Sequence, residues 1–168
     1  KAPVFHKKGL LTEWVFGSID ENGAFAIFLS IFLVYLQALL LNRLVIRNRL
    51  TNELTLFPGL FNILLVSFFP EYNGLSAPLV ANTFVIMAFV YLMQTHKTAR
   101  IASLIFTAGI WFSVAFLFYF GYAFLFLVGI LGLSMLRTVK SKQWVQFALG
   151  YLTPVLIVGM LDYLFHGD

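Results

Sequence analysis

The sequence predicts an all-α fold, a polytopic transmembrane helical bundle of about six spans. Its main evidence is residues 101–136, thirty-six residues without one formal charge. A single helix of that length would extend roughly 54 Å. A bilayer core is about 30 Å thick and is crossed by about 20 residues. We therefore predict that this run crosses twice, with a bend near residues 119–122.

Composition supports the same class. The chain is 61% hydrophobic and 11% charged, whereas a soluble domain is about 25% charged. A soluble fold of 168 residues would have to expose much of this apolar surface to water. The absence of cysteine excludes disulfides, thiolate metal ligands and cysteine nucleophiles.

The first 23 residues are predicted to be an extracytoplasmic interfacial segment. Apolar residues recur there at helical spacing, namely Leu10, Leu11, Trp14, Val15 and Ile19. This pattern predicts an amphipathic helix lying in the membrane interface, with Trp14 at headgroup depth. Residues 24–168 form the predicted transmembrane domain, and the chain is interpreted as part of a longer protein.

Apolar runs and charged links then give six predicted crossings. They cover residues 24–41, 54–69 and 79–94, two passes within 101–136, and 144–164. Pro58 and Gly59 lie near the start of the second crossing, and Pro70 ends it. Residues 71–78 are predicted to form a turn. Pro154 interrupts the sixth crossing, which neighbouring helices tolerate in a membrane.

Charge asymmetry predicts the orientation. The links 42–53, 95–100 and 137–143 carry eight of the eleven Lys and Arg residues. The remaining segments carry six of the seven acidic residues. Under the positive-inside rule, the three basic links are cytoplasmic. Orientation also explains the net charge of +4, so we predict no nucleic-acid partner.

Polar residues within the spans indicate little chemistry. Ionisable groups at membrane depth mark transport or proton relay, and Asp162 is predicted at the outer end of its span. No histidine falls inside a span, so we predict no metal and no cofactor. Uncharged polar side chains either line a pathway or join helices, and joining is the preferred interpretation. They are Gln37, Asn42, Asn62, Ser67, Asn82, Thr83, Gln94, Thr107 and Ser113.

The predicted outer face carries the candidate site. Carboxylates there are the one group suited to acid–base chemistry beside a lipid substrate, and lysines on the same face suit a phosphate. The alternative is that outer loops collect acids without function and that the lysines touch lipid headgroups. The catalytic candidates are Glu13, Asp20, Glu21 and Glu71, and the lipid- or phosphate-binding candidates are Lys7, Lys8 and Trp14.

Several stretches carry a resemblance over nearly the whole chain. They are Leu11-Thr12-Glu13-Trp14, Leu36-Gln37-Ala38-Leu39-Leu40-Leu41-Asn42-Arg43-Leu44, Ser67-Phe68-Phe69-Pro70, Leu79-Val80-Ala81-Asn82, Ala115-Phe116-Leu117-Phe118-Tyr119-Phe120, and Lys142-Gln143-Trp144 with Gly150 and Pro154. In these the chain resembles an uncharacterised Bacteroidota family of multi-pass inner-membrane proteins, a domain of unknown function. The resemblance implies a bacterial inner membrane and longer members, and it implies no activity.

More distantly, the chain is similar to GT-C-type polyprenyl-phosphate-dependent glycosyltransferases. Those enzymes have an interfacial helix in the first outer loop and an essential acidic residue just after their first span. By this similarity the equivalent position would fall before or near Lys1, so the acidic residue is either absent or represented by Glu13, Asp20 or Glu21.

Two function classes stay open at this point. The first is a non-enzymatic structural or accessory subunit of a membrane protein complex, with other membrane subunits and membrane lipids as partners. The second is a GT-C-like transferase or a degenerate relative of one. Gly121, Gly129, Gly132, Gly150 and Gly159 are predicted to let neighbouring helices approach closely.

Overall fold

The computed structural model describes residues 11–12, 14, 23–50, 56–68, 75–95, 101–136 and 141–166. Within these ranges the chain forms a bundle of six α-helices of twelve residues or more, which confirms the predicted all-α class. They are α1 (Ala24–Asn48), α2 (Phe57–Phe68), α3 (Ala77–Gln94), α4 (Ile101–Phe118), α5 (Leu125–Leu136) and α6 (Ser141–His166). A 3-10 helix, Phe120–Phe124, joins α4 to α5.

Four of these helices are long and apolar enough to cross a membrane: α1, α3, α4 and the Ser141–Leu164 part of α6. The helices α2 and α5 have twelve residues each, which corresponds to about 18 Å against a core of about 30 Å. The predicted bend after residue 118 is confirmed, because α4 ends there and the 3-10 helix follows. Six crossings remain a prediction.

Two helix ends have clear local causes. Pro78 is in the first turn of α3, where a missing N–H removes no helical hydrogen bond. The end of α1 is a Schellman motif, in which the N–H groups of Arg49 and Leu50 donate to the carbonyls of Ile46 and Val45. Arg49 adopts a left-handed conformation there, with φ 50° and ψ 44°. Glycine is the usual residue at this position because it has no Cβ to crowd the backbone.

Helix α4 forms the centre of the bundle and packs most extensively against α3 and α6. Its buried side chains include Ile105, Ala108 and Phe112. The Phe112 ring meets Phe89 of α3 and Phe147 of α6 edge to face, with centroid separations of 5.5 Å and 6.0 Å. Helix α1 packs against α2 and against α3. The bundle therefore has a dense α3–α4–α6 part and a looser α1–α2 part.

Glycines bring the backbones of α4 and α6 together. A Cβ at Gly109 would lie 2.6 Å from the carbonyl oxygen of Phe147 and 3.0 Å from the backbone nitrogen of Tyr151. A Cβ at Gly150 would collide with the backbone of Phe106. Such distances leave no room for any side chain, so this crossing requires glycine on both helices.

The other predicted glycines differ in their surroundings. A Cβ at Gly129 would meet the Phe147 ring, and one at Gly132 would meet Leu92, so both face neighbouring helices. Gly121 instead faces the ring of Tyr119, two residues before it. No described residue lies within 4 Å of a Cβ built at Gly159, so none of the described helices makes the predicted close approach there.

The outer surface of the bundle is apolar. Many large hydrophobic side chains of α1, α2 and α6 are exposed, and Gly59 is the buried residue of α2. In α5, Met135 is 89% exposed. A water-soluble protein rarely shows so large an apolar surface, so this surface fits helices that face lipid or other membrane subunits.

Candidate functional site

The most developed polar site joins α1 to α3. Gln37, in the middle of α1, is fully buried. Its Nε2 donates to the carbonyl oxygen of Leu79 at 2.8 Å and to Oγ1 of Thr83 at 2.9 Å. Its Oε1 accepts a hydrogen bond from Nδ2 of Asn82 at 3.2 Å. Asn82 and Thr83 follow Leu79 by three and four residues on α3, so the three partners share one face of that helix.

All of the groups in this Gln37 cluster are uncharged. Both Nε2 hydrogens and the Oε1 of Gln37 have partners, and the Thr83 hydroxyl also lies 3.5 Å from the Leu79 carbonyl. A carboxamide does not ionise in the physiological pH range, and the hydrogen-bonding groups of this one are paired across the two helices, so the cluster fixes α1 against α3. This agrees with the interpretation of the polar residues as helix-joining groups.

Asn42 caps the start of α2 from the neighbouring helix. The backbone N–H of Gly59 donates to Oδ1 of Asn42 at 2.8 Å. Gly59 is the third residue of α2, where an N–H has no acceptor within its own helix, and Pro58 before it has no N–H. A Cβ at Gly59 would lie 2.7 Å from the carbonyl oxygen of Ala38, so glycine also permits the close approach.

A shallow apolar groove lies beside this capped helix start. Its lining residues are Leu41, Phe57, Pro58, Phe61, Asn62 and Leu65. Nδ2 of Asn62 is enclosed and has no hydrogen-bond partner among the described residues. Asn82 of α3 donates to Gln37 and is not part of this groove. The two asparagines therefore belong to different environments, one in the Gln37 cluster and one in the groove.

Most of the predicted outer-face site lies outside the described residues, so that site stays a prediction. The candidates that fall outside are Glu13, Asp20, Glu21, Glu71, Lys7 and Lys8. Trp14 is described, has helical conformation and is 48% exposed. Half exposure is compatible with an indole at headgroup depth, where one end is apolar and the other is wet.

A contact that the sequence did not predict attaches the first segment to the bundle. Oγ1 of Thr12 is buried and donates to the carbonyl oxygen of Phe118 at 2.6 Å. Phe118 is the last residue of α4, whose final carbonyls have no helical donor. Leu11 packs against the core next to this bond. Residues 11 and 12 are thus held at the end of α4 where the 3-10 helix begins.

Charged side chains within the described ranges lie at the surface. Arg43, Arg47, Arg49 and Lys142 are exposed, and Asp162 is partly exposed. The described residues contain no group of three or more His, Cys, Asp or Glu side chains that could hold a metal ion. The described polar clusters are thus made of amides, hydroxyls and backbone groups.

Comparisons with known proteins add no relative. The chain matches no family model, no curated protein and no solved structure. The resemblances to the Bacteroidota membrane family and to GT-C-type transferases therefore stay predictions.

Proposed function

We propose that this chain is an integral protein of a bacterial inner membrane and serves as a non-enzymatic structural or accessory subunit of a membrane protein complex. The observation that carries the proposal is the Gln37 cluster, where the buried polar groups bond to one another across α1 and α3. Buried polar groups used in this way hold helices in register. A carrier or an enzyme needs such groups directed toward a substrate.

The short helices support a role beside other subunits. At about 18 Å, α2 and α5 are shorter than the hydrocarbon core. A short apolar segment in a bilayer is accommodated by local thinning or by packing against other membrane proteins. Phe57 and Phe68 of α2 and Met135 of α5 are among the most exposed large side chains. These two helices are the proposed contact surface for other subunits.

Partner recovery tests the subunit proposal. Purification in a mild detergent should recover stoichiometric membrane partners, and Phe61→Ala on α2 should reduce their yield. Leu156→Ala on α6 is the matched control, because both side chains are exposed and apolar. A monomer that carries out a reaction without partners would contradict the proposal, and equal yields from the two variants would contradict the role of α2.

Orientation is tested independently. Because the chain has no cysteine, Arg47→Cys, Lys140→Cys and Asn73→Cys give single labelling sites without background. The proposed topology places positions 47 and 140 in the cytoplasm and position 73 outside. An impermeant thiol reagent added to intact spheroplasts should label position 73 alone. Labelling of positions 47 and 140 from outside would show that the topology is inverted.

A GT-C-like transferase is the second candidate function. The observation in its favour is the Thr12–Phe118 bond, which holds the start of the outer segment against the bundle. Glu13 follows Thr12 directly in the sequence, so this bond would anchor a catalytic loop. Under this alternative, alanine at Glu13, Asp20, Glu21 or Glu71 abolishes the cellular role without lowering abundance. Four variants that behave as wild type would leave the subunit proposal in place.

A further inference from the structure

One face of α1 is exposed over most of its length and changes from apolar to basic. The exposed side chains follow one another at spacings of three or four residues, so they form one stripe along the helix. We call it the α1 stripe, and its members are Phe25, Phe28, Phe32, Tyr35, Leu39, Arg43 and Arg47. The residues of α1 that are buried include Ala26, Ser30, Gln37 and Leu44, which recur at spacings of four and seven and lie on a different face.

The apolar part of the α1 stripe is followed directly by its basic part. Phe25 to Leu39 covers fourteen residue steps, or roughly 21 Å along the helix axis. Arg43 and Arg47 follow at about 6 Å and about 12 Å beyond Leu39. The arginines therefore begin where the exposed apolar length of α1 ends.

The basic end of the α1 stripe is followed by a third arginine. Arg49 is exposed and has left-handed backbone geometry with φ 50°. An L-residue is crowded in this conformation, and glycine is not. Three guanidinium groups thus occur within seven residues at one end of α1. Guanidinium is the side-chain group that best matches a phosphate, because its planar fork can donate two parallel hydrogen bonds.

We propose that the α1 stripe binds an anionic phospholipid. One acyl chain lies along Phe28, Phe32 and Leu39, and Arg43 and Arg47 bind the phosphate of the headgroup. The order of the stripe supports this occupant over a protein helix, because its apolar part ends in a charge that is complementary to an anionic headgroup. The inference rests on the proposed membrane insertion and is independent of the subunit role.

The test is native mass spectrometry of the purified full chain with equal amounts of phosphatidylglycerol and phosphatidylcholine. The wild type should retain phosphatidylglycerol preferentially. Each of Arg43→Gln and Arg47→Gln should reduce that preference about fivefold, from the usual attraction of one basic residue to an anionic surface. Lys142→Gln, which removes an exposed charge from α6, is the matched control and should change nothing. Arg43→Lys with Arg47→Lys should lose part of the preference, because lysine keeps the charge but not the planar fork.

Further measurements distinguish a lipid site from a site that binds inorganic anions. Leu39→Ser should weaken retention of both lipids without changing their ratio, because it alters the acyl part of the stripe. Displacement of the lipid by millimolar inorganic phosphate would show an anion site alone and would overturn the lipid proposal. Equal loss of preference in Lys142→Gln would also overturn it, as would full preference in the double glutamine variant. Alkaline carbonate extraction of membranes that contain the chain tests membrane insertion separately. A chain that is not inserted can therefore be distinguished from an inserted chain that does not bind the lipid.

Discussion

Replacing Gln37 with leucine should loosen α1 from α3 without changing the shape of the core. The two side chains have similar volumes, so the variant removes hydrogen bonds and leaves little cavity. Gln37 makes three interhelical hydrogen bonds, and such bonds in membrane proteins contribute about 0.6 kcal/mol each. Their sum, about 2 kcal/mol, is the largest loss that the average value predicts.

The expected loss of stability is smaller than this sum, because most of the former partners of Gln37 keep another hydrogen bond. The Leu79 carbonyl keeps its place in the helical hydrogen-bond ladder of α3, and the Thr83 hydroxyl still lies 3.5 Å from it. Nδ2 of Asn82 is the group that loses the partner seen here, and it is only partly buried. We therefore expect Gln37→Leu to reduce the free energy of unfolding by about 1–2 kcal/mol.

The measurement is reversible unfolding of the purified protein by SDS in mixed micelles, followed by circular dichroism. Thr153→Val is the control, because the Thr153 hydroxyl is exposed and donates to the carbonyl of its own helix at Leu149. That variant should stay within about 0.5 kcal/mol of wild type. In a double-mutant cycle, Gln37→Leu and Thr83→Val should couple by about 0.6 kcal/mol. A Gln37→Leu protein as stable as wild type, with no coupling to Thr83, would refute the assignment of the cluster as the link between α1 and α3.

Three further predictions, which use four variants, test other features of the structure in the same unfolding assay or a related one. Gly150→Ala should lose about 1–3 kcal/mol of stability because its Cβ collides with the backbone of Phe106. Gly159→Ala is the control and should be neutral or up to about 1 kcal/mol more stable. Equal effects of the two variants would refute the geometry of the α4–α6 crossing. Thr12→Val should release the first segment, since it removes about 1 kcal/mol of hydrogen bonding to α4, and limited trypsin digestion should then cleave that segment faster; unchanged cleavage would contradict the anchor. Arg49→Gly should stabilise α1 by about 0.5–1 kcal/mol because glycine relieves the left-handed strain, and a destabilised variant would show that the arginine side chain contributes more than its backbone costs.

The positions of the helices were predictable, but their ends were less so. The first apolar run was predicted to end at residue 41, yet α1 continues to Asn48. Hydropathy marks where a chain is buried in apolar surroundings, whereas a helix continues as long as its backbone bonds do. The polar residues after Leu41 can be exposed beyond the apolar region, so they extend the helix without a break.

The partners within the site could not be predicted because they depend on helix register. Gln37 and Asn82 were both recognised as polar groups in spans, but their pairing follows from how α1 packs on α3. Glycines show the same limit: Gly109 and Gly159 are each a single glycine in an apolar run, and the structure places one at a helix crossing and the other at an open surface. The outer-face carboxylates lie outside the described residues and stay untested.

The cap that Asn42 provides for α2 has a consequence for the order of assembly. A backbone N–H that is shielded from water and has no acceptor costs free energy, and the Gly59 N–H finds its acceptor on another helix. A twelve-residue segment with such a start gains a complete hydrogen-bond set only after α1 is in position. During synthesis α1 emerges first, so its amide is already present when α2 follows. A residue of α1 thus completes the first turn of α2, and a change at position 42 would act on the folding of α2 before it acts on the packing of the finished bundle.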